Sequence, residues 1–329
     1  MSSEIVIKFL VAAVLAGTPF LFGTVGEILS EKVGHLNLGV EGMMFMGAVS
    51  GLWAAVFYES IAATVSGVLA AIFAVIGSFL FGALGALIYS FLTVTLRANQ
   101  NVTGLTLTIF GTGIANFLGE ILAQNMGGYA RVTTVTQGAF ANLNIPGLSD
   151  LPVVGKLLFS YNFVVYLGIV IALVMWWFFK KTRVGLNLRA VGESPATADS
   201  AGINVTLYKY LATCIGGGIS GLGGCYYVMV YIRGTWENQG TIEALGWLAV
   251  ALVIFATWKP LRNIWGSYLF GALYWAYFYI PGLTRSSQEI FKMIPYLVTL
   301  FVLITVSLRK KKEDQPPASL GIPYFREER

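Results

Sequence analysis

Residues 65–96 read VSGVLAAIFAVIGSFLFGALGALIYSFLTVTL, a run without a single charged side chain. A helix needs roughly 20 apolar residues to cross the hydrocarbon core of a membrane, which is about 30 Å thick. This run is long enough to cross that core and also to contain a break near Gly77. It therefore predicts a transmembrane helix, either continuous or interrupted.

Apolar runs of similar character recur along the chain. They predict an all-α, polytopic integral membrane bundle of eight to ten transmembrane helices, with nine as the best count. The second run also fits a partly re-entrant path. The first lacks a cleavage site after its core, so we interpret it as a retained helix. The nine runs are Ile5–Leu29, Leu36–Tyr58, Val65–Leu96, Val102–Ala123, Phe159–Phe179, Leu207–Tyr231, Ile242–Trp258, Ile264–Ile280 and Phe291–Leu308.

The composition excludes a soluble globular domain, and the charge does not suggest a nucleic-acid-binding protein. Of the 329 residues, 56% are hydrophobic and 11% are charged, whereas soluble domains carry about 25% charged residues. The net charge of +5 comes from basic residues in loops and in the tail. The two cysteines, Cys214 and Cys225, are about three helical turns apart, so we expect them not to pair.

The distribution of basic residues predicts the orientation. If the nine runs cross the membrane in alternate directions, fifteen Lys and Arg residues lie on the same side as the loop after Lys180 and six lie on the other side. By the positive-inside rule, that loop and the C-terminus are expected in the cytoplasm and the N-terminus outside. We expect one transmembrane domain, 1–312, with a polar loop at about 181–206. A polar cytoplasmic tail, 313–329, follows as an extended surface segment.

Residues 192–203, GESPATADSAGI, form a polar island between apolar runs. Ser194 can cap a short helix, Pro195 suits its first turn, and Gly202 can close it with a positive φ. The basic residues 180–183 precede it. A self-contained helix in a cytoplasmic loop is well placed to dock on a soluble partner.

Chemistry by this chain itself is not expected. There is no phosphate-binding loop of the G-x-x-x-x-G-K-[ST] type, and the sole histidine, His35, has no metal-ligand cluster around it. Neither a nucleophile–base set nor a metal site is therefore predicted. We expect no enzyme activity, no cofactor and no metal.

Polar residues inside the apolar runs are candidates for lining or gating a solute path. For Glu41, capping of a broken helix end is an equal alternative. For Asn116 and Glu120, ordinary helix–helix hydrogen bonding is the alternative, and for Trp236 it is an interfacial anchor next to Glu237 and Asn238. The candidates are Asn37, Glu41, Thr103, Asn116, Glu120 and Trp236.

Four blocks together resemble the permease subunits of bacterial ATP-binding-cassette importers. They are NLGVEGMMFMGA (37–48), NQNVTG (99–104), LRAVGESPATADSAGINV (188–205) and residues 218–226 followed by WEN (236–238). The resemblance lies in the branched-chain amino acid and ribose permease family, in its simple-sugar and nucleoside branch. The tail block LGIPYFR (320–326) is similar to that of nucleoside permeases. Asn99-Gln100-Asn101 and Thr197 depart modestly from the expected pattern.

The resemblance implies a permease for a nucleoside or a simple-sugar-like neutral solute in a bacterial plasma membrane. Its expected partners are an ATPase subunit that carries ATP and magnesium, a second and different permease, and an external solute-binding lipoprotein. Residues that would couple to the ATPase are Gly192, Glu193, Ser194, Pro195, Ala198, Asp199 and Gly202. The alternative function is an ion-coupled secondary transporter with an intramembrane carboxylate, Glu41 or Glu120.

Overall fold

The computed structural model of the chain describes residues 3–143, 146–149, 151, 153–236, 244–280, 282–309 and 314–326. These residues are almost entirely helical, and only an isolated bridge between Arg131 and Thr235 has β geometry. The first seven helices are α1 (Ser3–Lys32), α2 (Val40–Ile61), α3 (Gly67–Ser90), α4 (Gln100–Asn125), α5 (Thr134–Ala139), α6 (Val154–Leu158) and α7 (Phe163–Lys181).

The second half of the chain continues the bundle. The helices are α8 (Arg183–Glu193), α9 (Pro195–Ser200), α10 (Val205–Tyr226), α11 (Leu245–Phe255), α12 (Pro260–Trp275), α13 (Arg285–Lys292) and α14 (Ile294–Arg309). Helices α3 and α10 each end in a π-helical turn, at Phe91–Thr95 and Tyr227–Tyr231.

Seven helical segments among the described residues are long and apolar enough to cross a membrane. The prediction of a polytopic α-helical membrane bundle is therefore confirmed. The third run is one uninterrupted helical segment, Gly67–Thr95, without a break at Gly77. Two short helices, α5 and α6, lie in the long segment at 124–160.

The best count of nine spans is too high for full-length helices in the described part of the chain. The predicted spans at 242–258 and 264–280 contain α11 and α12, which have only 11 and 16 residues. A tight turn separates them, with positive φ at Thr257 (50°) and Trp258 (54°). Pro260 then opens α12 at a position where a helix needs no backbone donor.

Helix α10 is the centre of the bundle, because α1, α2 and α3 all pack against it. Its glycine run at 216–224 permits this close approach, as small residues do between membrane helices. A Cβ atom on Gly224 would overlap the carbonyl oxygen of Met44. The predicted packing role of this run is thus visible in the contacts, and both cysteines are free thiols as expected.

Helix α2 begins inside the bundle rather than at its edge. Val40, its first residue, lies against Gly23 of α1, which is nine residues and therefore about 14 Å before the end of that helix. The connection 33–39 runs back along α1 to reach this level. The second predicted run therefore starts with non-helical backbone, in agreement with a partly re-entrant path.

Candidate functional site

Helix α9 is capped at both ends. The Ser194 hydroxyl accepts a hydrogen bond from the Thr197 backbone at 3.4 Å and Pro195 occupies the first turn. At the other end Gly202 has a φ of +81°. Its N–H donates to Asp199 and the Ile203 N–H donates to Ala198, which is the Schellman arrangement. The local structure expected for residues 194–202 is therefore present.

The exposed side of α9 faces away from the bundle. Ala198 is buried against the protein, whereas Glu193, Ala196 and Thr197 are exposed. Gly192, just before α9, is buried because the carbonyl of Lys32 lies against its Cα. The end of α8 thus packs on the end of α1, and α9, which follows directly, presents an exposed surface.

Residues 314–326, here called the tail segment, fold back over this same end of the bundle. The Ser319 N–H and hydroxyl both donate to the carbonyl of Gly192, at 3.1 and 2.6 Å. The Tyr324 hydroxyl donates to Asp199 at 2.8 Å, and the Arg326 guanidinium lies 3.1 Å from the same carboxylate. The tail segment, expected as an extended surface segment, lies on this end of the bundle and is bound to α9.

A second set of contacts secures the start of the tail segment. Asp314 accepts from the Lys259 ammonium at 2.7 Å and from Arg262 at 3.0 Å. The hydrogen bond from Lys259 holds the pKa of the Asp314 carboxyl below its usual value, and Arg262 adds to this effect. The tail segment therefore joins the α11–α12 turn to α9.

The connection 36–39 has its backbone groups satisfied by side chains. The Leu36 N–H donates to Gln100 and its carbonyl accepts from the Tyr89 hydroxyl, both at 2.8 Å. The Asn37 N–H donates to Glu27 at 3.0 Å. Irregular backbone at membrane depth is stable only when its polar groups are paired within the protein. These side chains supply that pairing.

Asn37 and Thr103, two of the predicted path residues, belong to this construction. The Asn37 side-chain oxygen accepts from the Gly39 N–H at 2.9 Å, and the Thr103 hydroxyl donates to the carbonyl of Asn99 at 2.8 Å. Both residues are buried, and Gly104 packs against Leu38. In this conformation they stabilise backbone rather than face a cavity, so their role in a path stays a prediction.

Glu41 lies at the start of α2, beside the start of the short helix α11. It is in the first turn of α2, and Gly246 in the first turn of α11 lies directly against its backbone and Cβ. Helix α11, with 11 residues, is about 16 Å long, roughly half the membrane thickness. A buried carboxylate beside a short helix N-terminus fits the capping alternative, and a path role remains open.

The other three path candidates lie near the far end of α4. Asn116 is half-buried, and Glu120 is exposed and accepts a hydrogen bond from Gln124 at 3.2 Å. The buried Trp236 indole packs on Gly119. From Thr103 to Glu120 is about 25 Å along the helix, so the six candidates do not form one cluster. Glu237 and Asn238 lie outside the described residues.

Three buried ionisable groups lie at or just after the end of α1, and the sequence analysis predicted no contacts for them. The carboxylate of Glu31 accepts a hydrogen bond from the indole N–H of Trp258, and Glu27 holds Asn37. His35 Nδ1 is 2.8 Å from the Thr213 hydroxyl. Burial, with a smaller effect of Lys209, lowers the pKa of His35 well below its ordinary value. The available signal was the four-residue spacing of Glu27 and Glu31 in an apolar run.

A cavity of about 890 Å³ opens at the opposite end of the bundle from α9. It lies between the first half of α1, the α5 region and the ends of α10 and α12. Aromatic and amide side chains dominate its lining, and Arg233 contributes a charge. These residues are Gln137, Phe140, Asn142, Tyr226, Tyr231, Arg233, Trp275 and Tyr279.

The described residues contain no cluster of His, Cys, Asp and Glu that could hold a metal ion. The arrangement offers a capped, outward-facing helix at one end of the bundle and a cavity with aromatic side chains at the other end.

Comparisons with known proteins agree with this architecture. Residues 9–303 match the family described as the branched-chain amino acid transport system, permease component. A protein of Haloferax volcanii with the provisional name of a glucose ABC transporter permease is 37% identical over 271 residues, 80% of this chain and 74% of that protein. The nucleoside ABC transporter permease NupC of Lactococcus lactis is 33% identical over 290 residues, 87% and 88% of the two chains.

A third relative extends the match over almost the whole chain. The guanosine ABC transporter permease NupQ of Bacillus subtilis is 29% identical over 327 residues, which cover 97% of this chain and 96% of that protein. The chain therefore belongs to this permease family and is a multi-pass membrane subunit of an ATP-driven importer rather than an enzyme.

Proposed function

We propose that this permease imports a nucleoside or a related sugar-containing neutral solute. The names of the relatives support a nucleoside, guanosine or glucose. The aromatic cavity supports a heterocyclic solute, because Tyr231 and Trp275 offer ring faces for stacking and Gln137 and Asn142 offer amide donors and acceptors. Arg233, the cation among the described lining residues, can donate hydrogen bonds to a hydroxyl of a neutral solute.

One observation supports the proposal that this chain couples to an ATPase: helix α9 is capped at both ends and faces outward. A docking helix transmits force only if it keeps its shape, and the caps at Ser194 and Gly202 stabilise it independently of a partner. Glu193, Pro195 and Asp199 would complete the contact region, whereas the buried Gly192 and Ala198 would support it by holding α8 and α9 against the rest of the chain. ATP and magnesium would bind on the ATPase, and this chain needs no cofactor of its own.

The transport cycle would be a population shift. Binding of ATP draws two ATPase subunits together and moves the docked helices, so that the bundle passes between outward-facing and inward-facing states. The ATPase must bind one state better than the other, since only a difference in affinity moves the equilibrium. This mechanism requires α9 on the cytoplasmic side, with the C-terminus and the tail segment.

A second, different permease is the proposed partner in the membrane. Lactococcus lactis contributes two nucleoside permease relatives, which are 33% and 24% identical to this chain. Bacillus subtilis contributes two guanosine permease relatives, at 29% and 23% identity. In both cases the chain is more similar to one of the two, which supports a heterodimer. An external solute-binding lipoprotein would deliver the solute.

Uptake by the reconstituted system tests these proposals. The two permeases, the ATPase and the binding protein are assembled in liposomes, and uptake of labelled nucleosides, pentoses and glucose is compared with and without ATP. We expect ATP-dependent uptake of a nucleoside, no uptake with an ATPase that cannot hydrolyse ATP, and weaker uptake after Trp275→Ala. Uptake by this polypeptide alone, driven by an ion gradient, would refute the proposal.

A further inference from the structure

A cavity of about 750 Å³ lies beside α9. It is formed between the end of α3, the first turns of α10 and the tail segment. Thr93 and Arg97 line it from one side, Lys209 and Tyr210 from another, and the Asp199–Arg326 pair closes it next to α9. Neither the family assignment nor the proposed coupling role accounts for this cavity.

The charges around the cavity are predominantly positive. Arg97, Lys209 and Arg326 line it, and Asp199 is the one acidic residue among the described lining residues. Asp199 is already bound to Tyr324 and Arg326. Two positive charges, those of Arg97 and Lys209, therefore lack a carboxylate in this lining.

Lys209 is the strongest indication that this cavity can bind an anion. The residue is only 3% exposed, and within the described part of the chain its ammonium makes no ion pair or hydrogen bond. The nearby His35 supplies no negative charge, because an imidazole is either neutral or positively charged. A buried cation without a counter-charge is costly. An anion in the cavity would remove that cost.

The surface next to the cavity is apolar and exposed. Leu207, Leu211 and Ile215 follow one another at four-residue spacing on α10, with exposures of 50%, 52% and 43%. Phe91 and Leu87 form a similar exposed face on α3. Lys209 is the fifth residue of α10. The basic cavity thus lies at the end of two lipid-facing helices, at the depth expected for phospholipid head groups.

We propose that this cavity binds the phosphate head group of an anionic phospholipid, with Lys209 and Arg97 as its ligands. The acyl chains lie along Leu207, Leu211 and Ile215. A free phosphate compound would satisfy the charges but would leave this apolar stripe without a role. Because Gly202 and Asn204 also line the cavity, a bound lipid contacts the exit of α9 and stabilises its position.

The test measures lipid binding to the purified full-length chain by native mass spectrometry. Phosphatidylglycerol and phosphatidylcholine with identical acyl chains are compared. We expect phosphatidylglycerol to bind more tightly, with a factor of about five lost for each basic ligand that is removed. The double variant Lys209→Met with Arg97→Gln should show no preference for phosphatidylglycerol. Lys180→Met, at the end of α7 and outside the cavity, is the matched control and should retain it.

Two further arms decide the source of the anion. Glycerol 3-phosphate carries the phosphate without acyl chains; if it competes as strongly as the lipid, the lipid assignment is wrong. If the tail residues Glu327 and Glu328 neutralise the cavity instead, the wild type will not discriminate between the two lipids, which also overturns the proposal. Thermal unfolding in phosphatidylcholine verifies that Lys209→Met is folded, because loss of an unpaired buried charge should leave its midpoint unchanged or higher.

Discussion

The Tyr324 hydroxyl donates a hydrogen bond of 2.8 Å to the carboxylate of Asp199, although 125 residues separate the two in sequence. This bond joins the tail segment to the helix proposed to receive the ATPase. Together with the Arg326–Asp199 pair it fixes α9 against the bundle. Movement of the ATPase would then displace the permease bundle directly, because α9 is not attached through a flexible loop alone.

The first prediction concerns this link. Tyr324→Phe combined with Arg326→Gln should reduce ATP-dependent uptake severalfold while the protein still inserts, because the contacts of Asp199 with Tyr324 and Arg326 are lost. Hydrogen exchange of the backbone amides at 195–203 should become faster. Tyr166→Phe, which removes a hydroxyl hydrogen bond to the Leu158 carbonyl near the start of α7 and outside both cavities, is the control and should leave both unchanged. Unaltered hydrogen exchange in the double variant would contradict the idea that Tyr324 and Arg326 hold α9 in place.

The second prediction uses the positive φ of Gly202. No heavy atom lies within 4 Å of a Cβ placed there, so the cost of a side chain is backbone strain alone. Valine resists this conformation by about 1–2 kcal/mol or more, whereas asparagine tolerates it. Gly202→Val should abolish ATP-driven uptake with normal insertion, and Gly202→Asn should retain most of it. Equal uptake by the two variants would argue against a coupling role for this cap.

A third prediction separates the importer from the ion-coupled alternative. Glu41→Gln keeps the size and hydrogen-bonding capacity of the side chain but cannot release a proton. Uptake should weaken and remain ATP-dependent whether Glu41 lines the path or caps a helix end. Glu120→Gln, at the exposed far end of α4, should have little effect. Loss of ion-driven uptake in either variant, in liposomes without ATP, would support the secondary transporter instead.

Local signals in the sequence predicted the helices and both caps of α9, because apolar runs and cap residues act over a few positions. Contacts across the bundle were beyond such signals. The hydrogen bond from the Gly39 N–H to the Asn37 side chain, for example, was not predicted. The hydrogen bond between Glu31 and Trp258 could not be predicted, because the two residues are 227 positions apart in sequence. The binding of the tail segment to α9 likewise depends on long-range packing.

The last prediction concerns the pH dependence of stability, and His35 is the only histidine of the chain. Burial first, and Lys209 second, lower its pKa in the folded protein, whereas in the unfolded chain its pKa is about 6.5. Below about pH 6.5 the His35 imidazole therefore binds a proton in the unfolded state but stays neutral in the folded state. This stabilising contribution is complete above pH 6.5 and is lost progressively as the pH falls below it.

His35→Asn should remove this dependence while an amide still bonds to the Thr213 hydroxyl. The thermal unfolding midpoint of each protein in detergent is measured between pH 7.5 and 5.0. The wild type should lose more stability on acidification than the variant, by at most about 1.4 kcal/mol per pH unit. Since other groups titrate equally in both proteins, the difference isolates His35. Parallel curves would mean that the imidazole takes up a proton in the folded state as readily as in the unfolded one.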